Sequence, residues 1–333
     1  MSGMNNNPLL SICIPTWNRC TFLKESLNRL LKECSKINQS EVEILISDNC
    51  SSDDTEKVVN NFVCEGFPII YNRNSENLGA AYNFLICMKQ ARGKYIILLG
   101  DDDFLCDNAL SYILNLIRGK DYGLIHICRY PKEKKDFWEF NNVESFLKKV
   151  SFWITFMSGN IFRKDIVETI RNPERYIPTR LLQVPFFLTS ALNSENNLVI
   201  NNKNLMQIGV DVKSNGGYNP YEIFVRNYLN IWNEYKIQGK ISDTLFSYIK
   251  KDLYMNFLLQ HNIEELILKK NVVTNESSDN LKSRNGYKIM GAKLILKEYY
   301  GRTWYYYTSA FVMMWKVLNV TLKGIVKIYL CRE

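Results

Sequence analysis

The stretch "KYIILLGDDDFL", residues 94 to 105, ends an apolar run in three consecutive carboxylates, Asp101, Asp102 and Asp103. Adjacent acids repel one another and destabilise the segment that carries them unless a cation or hydrogen-bond donors offset the charge. A divalent ion suits such a set, because Mg2+ and Mn2+ take hard oxygen ligands. The same acids could instead open the helix read in "FLCDNALSYILNLI", since Asp favours helix N-termini. Other polar residues gather behind two earlier apolar runs. Pro15, Thr16, Trp17, Asn18 and Arg19 close "LLSICIPTWNR", and Asp48 and Asn49 close "VEILISDN".

The elements around these residues explain why they would meet. Tyr95 to Leu99 is strand-length and rich in Ile and Leu, as a strand covered on both faces reads. Before it come the strand "LLSICIP", the amphipathic helix "TFLKESLNRLLKEC", the strand "VEILIS", the helix "SDDTEKVVNNFV", the strand "FPIIYN" and the helix "GAAYNFLICMKQA". Such a βαβαβαβ series predicts a mainly parallel sheet with right-handed crossovers. Every strand then ends at one edge, where open α/β sheets bind ligands. Neither G-x-G-x-x-G nor G-x-x-x-x-G-K-[ST] is present, so a phosphate ligand must be held in another way. A metal on the acid cluster is the remaining means of neutralising a diphosphate.

Further along, "YGLIHICRY" reads as a strand, "PKEKKDFWEFNN" as an exposed polar loop, and "FWITFMSGNIFRKDIVETI" as strand, turn and helix. "LLQVPFFLTSAL" reads as a helix interrupted by Pro185, and residues 221 to 270 have helical periodicity. The polar connection at 271 to 286 is the best boundary signal.

The chain has 333 residues, 46% hydrophobic and 23% charged, the composition of a soluble globular protein. Its nine cysteines are scattered and odd in number, and "MSGMNNNPLL" carries no secretory signal pattern, so they read as reduced thiols in a cytoplasmic protein. With only His126 and His261 available, a histidine-rich metal centre is excluded, and His126 reads as a hydrogen-bonded core residue. The net charge of +8 is confined to residues 281 to 333, which hold ten Lys or Arg against two Glu. There, Trp304 to Trp315 is an uncharged block of twelve residues, shorter than the roughly 20 a spanning helix needs. Lys316, Lys323 and Lys327 follow along one helical face. This pattern predicts a helix lying in an anionic membrane surface, the alternative being a helix docked on its own domain or on a second subunit. Nucleic acid is not expected, because the aromatics form a block and do not interleave with the bases.

The motifs "SICIPTWNR", "ISDNCSSDDT", "NLGAAYN" and "ARGKYIILLGDDDFL" resemble, in order and spacing, the glycosyltransferase family 2 domain with the GT-A fold, over about residues 9 to 130. The resemblance implies transfer of a sugar from a nucleotide-diphosphate donor to an acceptor hydroxyl, with Mg2+ or Mn2+ on the diphosphate. It implies that Pro15, Thr16 and Arg19 line the nucleotide pocket, that Asp48 accepts a hydrogen bond from the base, and that Asn77 and Gly79 approach nucleotide and sugar. Elementary chemistry agrees: a carboxylate accepts from an imide N–H, Gly permits close backbone approach, and Arg binds phosphate. For Asp48, an Asx-turn or cap in "DNCSSDD" is the plainer reading. The family's Asp-x-Asp-Asp falls on Gly100 to Asp103, so its first Asp is a Gly here. Asp102 then becomes the metal ligand; reading Asp101-x-Asp103 as the motif makes it Asp103, with Asp101 on the donor. "SGNIFRKD" resembles a segment near the sugar, which makes Ser158, Gly159 and Asn160 expected contacts.

Inverting members use a later Glu-Asp pair as base, and this chain has none. The second half offers Asp165, Glu168, Glu174, Glu195 and Asp211 as candidates, and Asp211, in "IGVDVKSNGGYN", is the candidate base. The expectation is thus a GT-A domain over 1–215, with a nucleotide half to about 130 and an acceptor half from 131, then a helical region 216–333 with a basic aromatic tail from about 287. Its donor would be a nucleotide-diphosphate sugar and its acceptor a glycan or a lipid-linked glycan of a bacterial surface polysaccharide, at the inner face of the cytoplasmic membrane. The alternatives are a nucleotidyltransferase, which lacks its Gly-rich loop and Lys here, and a non-catalytic nucleotide-sugar-binding subunit.

Overall fold

The computed structural model describes residues 7–128, 133–202, 204–209, 219, 221–259 and 294–308. The chain divides into two units, Met1–Val210 and Asp211–Glu333.

The first unit winds as β1 (Leu10–Thr16), α1 (Cys20–Cys34), β2 (Val42–Asp48), α2 (Thr55–Cys64), β3 (Ile69–Arg73), α3 (Ala80–Gln90) and β4 (Tyr95–Leu98). All seven residues of β1 and of β2 are buried, as expected of strands covered by helices on both faces. The apolar side of α1, formed by Leu23, Leu27, Leu30, Leu31 and Cys34, packs into the same core as Ile12, Ile14, Ile44 and Ile97. These strands are parallel, with Thr16 opposite Asp48 and Asp48 opposite Arg73, so their carboxyl ends lie side by side.

Then follow β5 (Phe104–Leu105), α4 (Ala109–Gly119), β6 (Leu124–Cys128), β7 (Phe137–Phe140), α5 (Val143–Val150), β8 (Asn160–Arg163), α6 (Asp165–Thr169), α7 (Gln183–Leu192), β9 (Asn197–Asn201) and β10 (Met206–Gln207). The main sheet has the order β3-β2-β1-β4-β8-β6-β9-β7, and β5 pairs with β10 in a small second sheet. Strand β8 runs antiparallel to both β4 and β6. Its first residue therefore lies at the edge where the parallel strands end.

Several local expectations are corrected. Helix α4 starts at Ala109, not at Phe104, because Phe104 and Leu105 pair with Gln207 and Met206. The buried Glu33 of α1 then accepts the N–H groups of Asn108 and Leu110, capping α4 from outside and tying α1 to it. The segment read as polar loop contains β7, an edge strand that pairs with β9 and whose residues alternate between exposed and half-buried. The segment 151–155 is a 3-10 turn in place of a strand: Ser151 takes φ 47°, and Phe152 and Ile154 turn inward while Trp153 stays exposed. Pro185 does not interrupt α7. It sits in the first turn, where its missing N–H has no intrahelical acceptor to satisfy. Strand β9, "NLVIN", was not anticipated.

The second unit is helical where described, with π-helical turns at Glu222–Asn227 and Leu253–Leu258, α8 (Tyr228–Ile237), α9 (Asp243–Asp252) and a helix over 294–300. Tyr228, Trp232, Tyr254 and Tyr300 are its largest fully buried side chains. The predicted connection at 271–286, and most of the tail, lie outside the described residues.

Candidate active site

The acids of the opening motif sit in a turn directly after β4, and donors from separate segments hold them. Thr16 Oγ1, at the end of β1, donates to Asp101 Oδ2 at 2.7 Å. The Arg19 guanidinium pairs with two acids, Nε with Asp101 Oδ1 at 3.1 Å and Nη2 with Asp102 Oδ2 at 2.7 Å. Arg19 also lies over the Phe22 ring, 4.8 Å from its centroid. Asp103 is engaged at both oxygens: Ser158 Oγ donates to Oδ2, and the Gly209 N–H donates to Oδ1 at 3.0 Å. Burial pushes the Asp101 carboxyl up to about 6, against the lowering influence of Arg19 and Thr16. Asp103 is also raised by burial, while the Ser158 and Gly209 donors pull it down. Asp102 is the least buried of the three, with 22% of its side chain exposed.

The loop after β1 is fixed to the loop after β2. Asn18 takes φ 54°, its N–H donates to Ser51 Oγ at 2.9 Å, and its Oδ1 accepts the Ser52 N–H at 2.7 Å. This frame leaves Pro15 within β1 and holds Trp17 half exposed at the edge. Asp48 is fully buried. Its Oδ1 accepts the Ser51 N–H at 2.9 Å, and its Oδ2 accepts the Tyr71 hydroxyl at 2.8 Å, with Arg73 Nε 3.7 Å away. The turn and the buried carboxylate thus coexist. Burial and the Asp48 carboxylate both raise the Tyr71 phenol, so Tyr71 is a donor at any physiological pH.

Asn77 and Gly79 belong to a loop that a chain of amides ties to β2. Asn49 Oδ1 accepts the Leu78 N–H at 3.0 Å and Asn74 Nδ2 at 3.1 Å, while Asn49 Nδ2 donates to Asn77 Oδ1 at 2.7 Å. Asn83 joins the set, accepting from Ser47 Oγ at 2.6 Å and donating to the Ser47 carbonyl at 2.8 Å. Gly79 has φ 84°, a backbone conformation that favours glycine, and opens α3. Sequence reasoning missed Asn74, Asn83, Tyr71 and Arg73. The crowding of asparagines in "NRNSENLGAAYN" was their one visible signal.

The reversed β8 brings Ser158 and Gly159 to this edge but turns Asn160 inward. Asn160 is fully buried, with Nδ2 donating to the Phe156 carbonyl at 2.6 Å and Oδ1 meeting His126 Nδ1 at 2.9 Å. His126 therefore serves as the Nδ1–H donor, and burial lowers its pKa to about 4, which keeps the ring neutral. Gly159 packs so closely that a Cβ would lie 2.6 Å from the Phe156 ring and 2.8 Å from the Ile127 carbonyl. Asp211 lies outside the described residues. Asp165 and Glu168 follow the far end of β8, where Asp165 pairs with Arg163 and Glu168 with Lys164. Glu174 pairs with Lys89 at the end of α3, and Glu195 precedes β9. These four thus belong to the opposite edge.

Among the described residues, no three or more His, Cys, Asp or Glu side chains are arranged to encage a metal ion. A Mg2+ or Mn2+ site of the kind built from one or two carboxylates, substrate phosphates and water needs no such cage. The hard oxygens of this turn fit that chemistry, with the partly exposed Asp102 as the accessible ligand.

The Glycosyl transferase family 2 profile matches residues 11–181. The chain is 38% identical over 138 residues to abequosyltransferase RfbV of Salmonella typhimurium, covering 40% of this chain and 39% of that protein. It is 31% identical over 181 residues to the GalNAc(5)-diNAcBac-PP-undecaprenol beta-1,3-glucosyltransferase of Campylobacter jejuni, covering 51% of this chain and 56% of that one. The chain thus matches about half the length of these relatives, or less. Its fold is similar to that of S. aureus TarS 1-349 in complex with UDP-GlcNAc, with a TM-score of 0.61 and 16% identity over 87% of this chain and 80% of that one. The profile covers just over half of the sequence, including β2, β3, β4 and β8 and nearly all of β1, and on that ground the chain belongs to glycosyl transferase family 2.

Proposed function

We propose that this protein transfers a sugar from a nucleotide-diphosphate donor to a hydroxyl of a glycan or lipid-linked acceptor in bacterial surface polysaccharide synthesis. The observation that carries the reading is the meeting of Asp48, Arg19, Asp101 and Asp102 at one sheet edge, on the three segments that follow or end β1, β2 and β4. Asp48 is read as the base acceptor through a lone pair left over from its bonds to Ser51 and Tyr71, and Arg19 as the cation facing the phosphates, while Pro15, Thr16 and Asp101 shape the pocket. Asn77 and Gly79 close on the sugar from one side, Ser158 and Gly159 from the other. Asp102 would hold Mg2+ or Mn2+, which when bound neutralises the departing diphosphate. Arg19 supplies fixed positive charge to the same anion, preorganised by its contact with Phe22. Asp211 is kept as the candidate base for the acceptor hydroxyl.

The charge of the C-terminal region supports an acceptor presented at an anionic membrane surface. Trp304 and Tyr307 are exposed, and Lys251 Nζ lies 5.0 Å from the Trp304 ring centroid, an arrangement suited to a headgroup region. Among the described residues no helix is long and apolar enough to cross a membrane.

The direct experiment is release of nucleoside diphosphate from a panel of UDP-, GDP-, CDP- and dTDP-sugars with lipid-linked glycan acceptors, with and without Mn2+. Turnover with one donor, lost in excess EDTA and restored by Mn2+, is expected. Full activity of the metal-free protein would overturn the metal assignment, and pyrophosphate release from a nucleoside triphosphate plus a sugar phosphate would replace the transfer reaction.

A further inference from the structure

The acid turn contains a construction that nucleotide binding does not require. Asp103 spends both carboxylate oxygens on protein donors from distant segments, Ser158 Oγ just before β8 and the Gly209 N–H just past β10. Ser158 Oγ in turn accepts the Gly100 N–H at 2.9 Å, so one hydroxyl links the first and last residues of the turn. The backbone follows the same path. Phe104 and Leu105 pair with Gln207 and Met206, and the Cys106 N–H donates to the Leu205 carbonyl at 3.1 Å. The chain at Gly209 then passes so near that a Cβ there would stand 2.0 Å from the Asp102 carbonyl oxygen.

Gly100 is the position where this chain departs from the family's acidic pattern, and the same construction accounts for it. A Cβ at Gly100 would lie 3.0 Å from Asp103 Oδ2, 3.3 Å from Asp102 Oδ1 and 3.4 Å from Ser158 Oγ. A side chain as large as Asp at that point would push into the Ser158–Asp103 hydrogen bond and set a further negative charge against three. Loss of the first acid and engagement of the last acid are thus one arrangement.

We propose that Asp103 is a positioning residue and not a metal ligand: with Gly100, Ser158 and Gly209 it forms a clamp that fixes the acid turn and presents Asp102 alone to the cation. The clamp joins three stretches of chain, the turn after β4, the start of β8 and the end of β10. The inference rests on the donor-site reading above for the role of Asp102, but the clamp itself has a ligand-free test.

The test separates hydrogen-bond acceptance at residue 103 from charge. Asn at 103 still accepts the Gly209 N–H through its amide oxygen and can donate to Ser158 Oγ; Ala can do neither. Hydrogen–deuterium exchange of the peptide spanning Asn204–Gly209 is measured without ligand. Exchange about tenfold faster or more is expected in Asp103→Ala and Ser158→Ala, and within about threefold of the parent in Asp103→Asn. Should Asp103→Ala not fold, Ser158→Ala carries this arm. In parallel, the rise in Tm given by UDP, GDP, CDP or dTDP with MnCl2 is compared with that given by the nucleotide alone. Asp103→Asn should keep the manganese-dependent part of that rise, and Asp102→Asn should lose it. Equal loss in both Asn variants, or unchanged exchange in both Ala variants, overturns the assignment. If no nucleotide stabilises even the parent protein, the donor-site reading fails while the exchange arm still decides the clamp.

Discussion

Replacing His126 tests how the floor beneath the ligand edge is held together. The ring is fully buried in β6 and donates through Nδ1–H to Asn160 at the first position of β8, and burial lowers its pKa from 6.5 to about 4. The unfolded chain therefore takes up the proton first as the pH falls. Stability from this group is intact above pH 7, declines through the window between 6.5 and about 4, and reaches its floor below that. The gap corresponds to about 3 kcal/mol at full protonation, of which about 2 kcal/mol is already lost at pH 5. Other groups titrate over the same range, so the informative quantity is a difference. Urea unfolding free energies of the parent and of His126→Asn are compared at pH 7.5 and pH 5. The parent's advantage over the variant should shrink by about 2 kcal/mol between the two conditions, because only the parent carries the buried imidazole. An advantage that stays constant within about 0.5 kcal/mol would refute the assignment of a neutral, desolvated ring.

Asp101 moves the opposite way, since its folded pKa of about 6 lies above the ordinary 3.8 and the folded state holds the proton longer. Asp101→Asn should therefore gain stability over the parent as the pH rises from 4 to 7, by about 2 kcal/mol in urea unfolding, while nucleotide stabilisation falls; a gain independent of pH would contradict this. Asn49→Ala strips the acceptor from the Leu78 N–H and Asn74, and should raise the donor KM about tenfold with kcat changed by less than about threefold, read by steady-state kinetics. Gly209→Ala forces a Cβ against the Asp102 carbonyl and should cost about 1 to 3 kcal/mol in thermal or urea unfolding. A neutral outcome there would show that the close approach relaxes freely.

The half of the sheet built by β1 to β4 was legible in the sequence because parallel strands buried on both faces leave unbroken runs of Ile, Leu and Val between turn residues. The edge residues could be collected for the same reason: strand direction alone sends Thr16, Asp48 and Asp101 to one side. What followed β4 was harder. Strand β7 is an edge strand with half its residues exposed, so "DFWEF" behind a lysine-rich run looks like loop, and "NLVIN" is too short to declare itself. Nor could local pattern show that β8 is reversed, which decides that Ser158 faces the acids while Asn160 is spent on His126. The occupancy of Asp103 was invisible because its donor at Gly209 lies 106 residues away. Asparagine networks share this property. Asn49 looks like turn composition until the chain has folded and its amide has met Leu78 and Asn77.

The reversed strand has a bearing on assembly as well as on catalysis. Among the described residues, strands β4 and β6 share no ladder hydrogen bonds; β8 stands between them and bridges them within the sheet. As the polypeptide leaves the ribosome, β1 to β4 can pair through local crossovers, but β6 must wait, unattached, until residues 160–163 emerge and slot into the gap. For that interval β4 offers an open rim. A pause or a destabilising change between residues 129 and 159 would lengthen it, and such lesions should lower yield through aggregation more than they weaken the finished protein.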